Sequence, residues 1–295
     1  ENNPKNDNEY KTPTGFQKYE LRTKTIKIKD NPDTTFVVKV SKHGPIMNGL
    51  VEHIQDKRPI AMHWMYTQLE NKTLDVAYGM SHSKSLSEFK KAAEKIHAPG
   101  LNVMYGDADN NIAWFASAKL YQLREGLSSK MYLNGASGED EILEILPFEE
   151  NPQAINPSNH FVYSANNQPD SVRGKLYPGY YQPEDRAKRI VSLLKNKNDF
   201  TKQDVAKMLF DVTSSTVADI SKDLLKNINT SNLSITEKTA FSVLEKWDGN
   251  HLKSAIAPTI YNRFLFEFLT ATFHDELGEG FELFLNSQLQ DQVLV

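Results

Sequence analysis

The spacing of apolar residues changes near residue 183, and that change limits the chain to a sheet-bearing part followed by a helical part. Residues 19–29, YELRTKTIKIK, alternate, with Ile26 and Ile28 on one side and Lys27 and Lys29 on the other. That is the period of a half-buried strand. Asp30-Asn31-Pro32-Asp33 supplies turn residues and TTFVVKV at 34–40 resumes the strand, so a hairpin is expected. The lysines then form a solvent face and need no nucleic-acid partner. Residues 60–69 and 74–78 read as further extended structure. A helix is expected over 86–97, where Phe89, Ala92, Ala93 and Ile96 share a face.

Two apolar runs between 102 and 118 flank Asp107-Ala108-Asp109-Asn110-Asn111. Aspartates at alternate positions resemble the start of a calcium loop. Glycine is missing at the sixth position, however, and Ala118 stands where the twelfth-position glutamate belongs. A hairpin turn explains the run better, because Asp and Asn tolerate left-handed backbone.

From Pro183 the period becomes helical. Proline suits a first helical position, and Glu184 and Asp185 complement the positive end of the helix dipole. Ala187, Ile190, Val191 and Leu194 follow at i, i+3, i+4 and i+7. Thr201 with Asp204 marks a second helix start, and Ser234 with Glu237 a third. A fourth, strongly apolar helix is expected from about Ala255 to Leu277. The division is therefore residues 1–182, rich in strand, and residues 183–295, helical, as one α+β architecture.

What this chain can do is narrowed first by what it lacks. It has no cysteine, which excludes disulfides, zinc–thiolate sites and a thiol nucleophile. A net charge of −4 argues against a nucleic-acid surface. No stretch reaches the eighteen or so apolar residues of a membrane span. The polar start, ENNPKNDNEYKTP, has no signal-peptide core, and the missing initial methionine suggests a piece of a longer protein. G-x-S-x-G, phosphate-loop, dinucleotide and H-E-x-x-H motifs are absent. His43, in SKHGPI, reads as a hydrogen-bonding structural histidine.

More is carried by the order of short phrases. HGPI at 43–46, Trp64, NVMYGDADNNIAWFASA at 102–118 and LPFEENP at 146–152 come first. SANNQP at 164–169, a Y-x-x-P-E-D-R-A-x-R-I run ending at Ile190 and LEKWDG at 244–249 follow. In that order, over roughly residues 15–255, they resemble the catalytic (β) chain of the penicillin acylase family, which includes cephalosporin and acyl-homoserine-lactone acylases.

The resemblance implies an N-terminal-nucleophile (Ntn) hydrolase with an αββα sandwich core. Its serine would be freed by autoproteolytic processing, and its own α-amino group would act as base. An α-amino pKa of ~7.7–8.0 suits that work near neutral pH. Asn166 matches the family asparagine that offers its side-chain amide to the oxyanion. Arg186 matches an arginine beside that asparagine and the free amine. Trp64, Leu101 and Val103 match positions beside the acyl group. Glu1 is no nucleophile, so the serine is expected several dozen residues upstream, which makes this an incomplete catalytic chain.

Other expectations follow from the same resemblance. No cofactor is required, and a structural calcium would take its ligands mostly outside this chain. The partners implied are a small-molecule acyl amide and a companion processed chain, in a periplasmic or extracellular setting. Two other readings stay open: a non-catalytic acylase-fold protein that binds a ligand or partner, and an unrelated α+β scaffold.

Overall fold

The computed structural model describes residues 1–51, 54 and 56–287. The last eight residues of the expected helical region, 288–295, lie outside the described residues. Two compact units emerge. The first comprises Glu1–Asn156 and Pro169–Tyr180; the second comprises Pro157–Gln168 and the described residues from Tyr181 onward.

The first unit holds every named strand, and all their pairings are antiparallel. The expected hairpin forms from Glu20–Ile26 and Thr34–Ser41, with Gly44–Pro45 as a third strand. Its tip differs from the sequence reading, since the strand ends at Ile26 and both Ile26 (52%) and Ile28 (40%) are exposed. Alternation alone does not bury a face without a partner layer against it. A second sheet orders Gln153–Ile155, Ile112–Ser117 and Leu101–Gly106, with Ile112–Ser117 in the centre. The turn between the last two is tied by Asp107, whose Oδ1 accepts from the N–H groups of Asp109 and Asn111. Asn110 there is left-handed, with φ 65°. The polar N-terminal stretch also pairs, as Asn2–Asn3, Asn6–Thr12 and Gly15–Lys18.

Two stretches expected to be extended are wholly or partly helical: Met65–Gln68 and Thr73–His82. Leu74, Val76 and Tyr78 alternate in sequence, yet Leu74 and Tyr78 are exposed. The residues that reach the core are Val76 and Met80, at i and i+4. Close packing decides the matter, because a Cβ on Gly79 would lie 2.9 Å from the Ala92 Cβ. Leu86–Ala93 is the expected helix, ending four residues early and capped by Ser85, whose side chain accepts from the Glu88 N–H. The core it covers consists of Ala93, Ile96, Val103, Ala113, Phe115 and Phe148.

Helices build the second unit. Asp185–Leu194, Lys202–Leu209, Ile235–Glu245 and Ala257–Leu277 answer the four expected starts. Thr201/Asp204 and Ser234/Glu237 both close reciprocal capping boxes. Ser215–Leu225, capped by Ser214, was not expected from the sequence. Leu225, Leu244, Trp247, Ala257 and Tyr261 form the core of this unit. Gly249, at φ 85°, lets the chain pass the Ser214 carbonyl, which an added Cβ would approach to 1.8 Å.

Candidate active site

Asn166 and Arg186 are twenty residues apart in sequence and meet within the second unit. The segment from Ser164 to Gln168 runs beside residues 181–182. Gln182 N–H donates to the Asn166 carbonyl at 2.8 Å, and Asn167 forms a parallel bridge with Gln182. One helical turn later, Arg186 Nη2 donates to the Ala165 carbonyl at 2.6 Å and to Asn166 Oδ1 at 3.0 Å. Asn166 itself is left-handed, φ 60°, a conformation that asparagine adopts more readily than most residues.

This geometry fixes which way the amide faces. A guanidinium can only donate, so the atom facing Arg186 is the carbonyl oxygen, and Nδ2 must be the opposite atom. Nδ2 makes no hydrogen bond among the described residues, and Asn166 is exposed. The result is a donor held from behind and open in front. Among the described residues no carboxylate pairs with Arg186, whereas Arg189, one turn on, is held by Asp211 at 2.8 and 2.5 Å. Arg186 therefore stands beside the Asn166 amide with no ion-pair partner among the described residues.

The other expected site residues lie in the first unit. Trp64 is 45% exposed and stacks on Tyr66 at 5.0 Å, and Tyr66 stacks on the buried His97 at 5.6 Å. Leu101, at the start of its strand, is 51% exposed. Val103, two residues on, is buried in the core cluster with Phe115, so packing alone accounts for it.

A cluster that sequence order could not assemble also lies in the first unit. His43 Nδ1 is hydrogen-bonded to Asp140 Oδ2, ninety-seven residues away, and His63 Nδ1 stands 3.8 Å from the same oxygen. All three line a cavity of about 420 Å³ walled by Tyr10, Tyr19 and Tyr121. Burial alone would raise the Asp140 carboxyl, but the His43 hydrogen bond, with the charges of His43 and His63, outweighs it and holds the carboxyl below its ordinary value. Burial lowers the His63 imidazole, the nearby Asp140 charge opposes that, and His43 adds to it.

Both shifts act in one direction. A group whose folded pKa is depressed contributes stability above its unfolded pKa and loses it as pH falls. For His63 the loss begins below about pH 6.5, and for Asp140 below about pH 4. The thermal midpoint should therefore fall from pH 7 towards pH 5, and His63→Gln should flatten that limb. An unchanged slope in the variant would remove His63 as its cause.

Among the described residues no group of three or more His, Asp or Glu side chains is placed to hold a metal ion. No residue here is therefore assigned to a calcium ion. No helix among them is long and apolar enough to cross a membrane.

Comparison with known proteins gives these features a setting. The chain aligns over 91% of its length with the solved structure of a thermostable penicillin G acylase from Alcaligenes faecalis. The TM-score is 0.71 at 19% identity, and 49% of that chain is covered, so the two share a fold. The acyl-homoserine lactone acylase QuiP of Pseudomonas aeruginosa is 26% identical over 289 residues, which is 87% of this chain and 32% of the relative. Penicillin G acylase of Escherichia coli is 24% identical over 242 residues, 78% of this chain and 27% of the relative. The chain thus spans about a third or less of the length of these curated relatives. The penicillin amidase family profile matches residues 1–294, and the chain belongs to that family.

Proposed function

We propose that the full-length protein hydrolyses a linear amide by acyl transfer to a serine and then to water, and that this chain supplies the oxyanion donor and the arginine that orients it. The observation carrying the proposal is the Arg186–Asn166 contact at 3.0 Å, which leaves Nδ2 free. Family membership supports the amide-hydrolysing class.

In this reading the attacking serine lies in the part of the relatives' length that the chain does not span, within an Ntn-type αββα core. Its Oγ adds to the substrate carbonyl while its proton passes to the serine's own α-amino group. Negative charge gathers on the carbonyl oxygen, where Asn166 Nδ2 donates. The α-ammonium then gives its proton to the departing amine, leaving an acyl ester on the serine. Water repeats the sequence and releases the carboxylic acid. Arg186, charged and close, favours the neutral form of a neighbouring amine, the form able to accept a proton. By family resemblance Trp64, Leu101 and Val103 are assigned to the acyl group: Trp64 and Leu101 present apolar surface, and Val103 supports the Leu101 strand from the core. The acyl amide is a small molecule, the companion chain comes from the same precursor, and the setting is periplasmic or extracellular.

Intact mass and N-terminal sequencing of the mature full-length protein test this reading. A chain containing residues 1–295 that begins upstream with serine is the expected product. An uncleaved polypeptide with no nucleophile at its start would favour the rival, an acylase-fold protein that binds a ligand without turning it over.

A further inference from the structure

We propose that Ser164 and Asn167 are positioning residues that hold Asn166 in its left-handed conformation, so that the amide faces the reacting carbonyl. This rests on the amide-hydrolase reading above and deepens it.

Asn166 is a non-glycine residue in the left-handed region, at φ 60°, and such a conformation persists where its surroundings over-determine it. Here the flanking chain is tied by both neighbouring side chains. Asn166 N–H donates to Ser164 Oγ at 3.3 Å, a serine side chain accepting from the residue two ahead. Ala165 N–H donates to Asn167 Oδ1 at 3.4 Å, a side chain reaching back two residues. The two acceptors therefore satisfy the successive N–H groups at and before Asn166, one from each side. Each bond is long, and the pair acts with the carbonyl contacts. Arg186 holds the Ala165 carbonyl at 2.6 Å and Gln182 holds the Asn166 carbonyl at 2.8 Å. Ala165, between the two ties, is fully buried.

The twin asparagines thus divide two tasks that one amide cannot perform together. Asn167 turns its carbonyl oxygen inward to the chain, fixed there because a backbone N–H can only donate. Asn166 turns its NH₂ outward. Ser164 and Asn167 act through the direction they give to Asn166.

Ser164→Ala, Ser164→Thr, Asn167→Ala and Asn166→Ala in the full-length protein test this, with Ser164→Ala also made in the Asn166→Ala background. Steady-state hydrolysis of an acyl amide is followed for each. Ser164→Ala and Asn167→Ala should each lower kcat by about tenfold with KM within about twofold, because small misplacements of a positioned group are felt in the transition state. Ser164→Thr, which keeps the hydroxyl, should stay within about threefold of the parent. In the Asn166→Ala background, Ser164→Ala should change kcat by less than about twofold, since the group it positions is gone. Parental kcat in both Ser164→Ala and Asn167→Ala, with Asn166→Ala impaired, overturns the positioning role and leaves the hydrolase reading standing. An undiminished tenfold loss in the Asn166→Ala background also overturns it, as a purely structural effect. Near-parental turnover in Asn166→Ala overturns the oxyanion role of Asn166 and the positioning role with it, whereas no hydrolysis by the wild-type full-length protein overturns the hydrolase reading itself. If Asn167→Ala does not fold, the Ser164 variants decide.

Discussion

Asn166→Ala in the full-length protein is expected to reduce kcat by about 10²–10³-fold, with KM changed far less. The size comes from the loss of one pre-oriented donor at a developing oxyanion, which costs about 2.7–4 kcal/mol of transition-state stabilisation in hydrolases that use one. The direction comes from the geometry: Arg186 Nη2 occupies Oδ1, the chain N–H of Gln182 occupies the Asn166 carbonyl, and Nδ2 is the atom left to act. Such a donor works mainly where charge gathers, so the loss belongs to kcat more than to KM. Alanine also tolerates φ 60° less well than asparagine, so a thermal midpoint for the variant must accompany the kinetics. Turnover within a few-fold of the parent in a folded variant would sink the role given to Asn166.

Phe115→Ala should have the largest effect on stability, about 3–5 kcal/mol. Phe115 is fully buried in the central strand of its sheet, with a ring centroid 6.1 Å from that of Phe148 and with Val103 and Ala113 in the same cluster. Its removal loses the transfer energy of a whole aromatic side chain and leaves a cavity that a strand hydrogen-bonded on both sides cannot collapse into. The thermal midpoint of the first unit should drop by roughly 10 °C. A shift of one or two degrees in scanning calorimetry would mean that the cluster is not a tightly packed core.

Much of this fold was legible because local rules and packing agree in it. The hairpin at 20–41 announces itself by alternation and that at 101–117 by two apolar runs, each around an Asp- and Asn-rich turn, and the two capping boxes mark helix starts that form as written. The helix at 73–82 was hidden because Leu74, Val76 and Tyr78 mimic a strand, while the structure selects Val76 and Met80 and seats Gly79 on Ala92. The signal for Ser215–Leu225 is Ser214, whose side chain caps it, but Val217 stands where a capping box has its acidic residue, so the sequence pattern there is faint.

The site was legible only in part. SANNQP and PEDRAKRI single out Asn166 and Arg186 as residues, but neither phrase says that a left-handed asparagine and a helix twenty residues on would meet through Oδ1. The pairing of His43 with Asp140 lies still further from any local pattern, since it joins residues ninety-seven apart.

Amide cleavage is tested by following the release of both products from acyl amides by the wild-type full-length protein. Phenylacetyl, glutaryl and long-chain acyl amides should be compared, with the freed amine and carboxylic acid quantified together. Catalytic, equimolar release of amine and acid from at least one acyl class is expected, at a rate far above that of the Asn166→Ala variant. Stoichiometric binding of such amides by the folded, mature protein, with no amine released from any of them, would contradict it and leave an acylase fold that only binds.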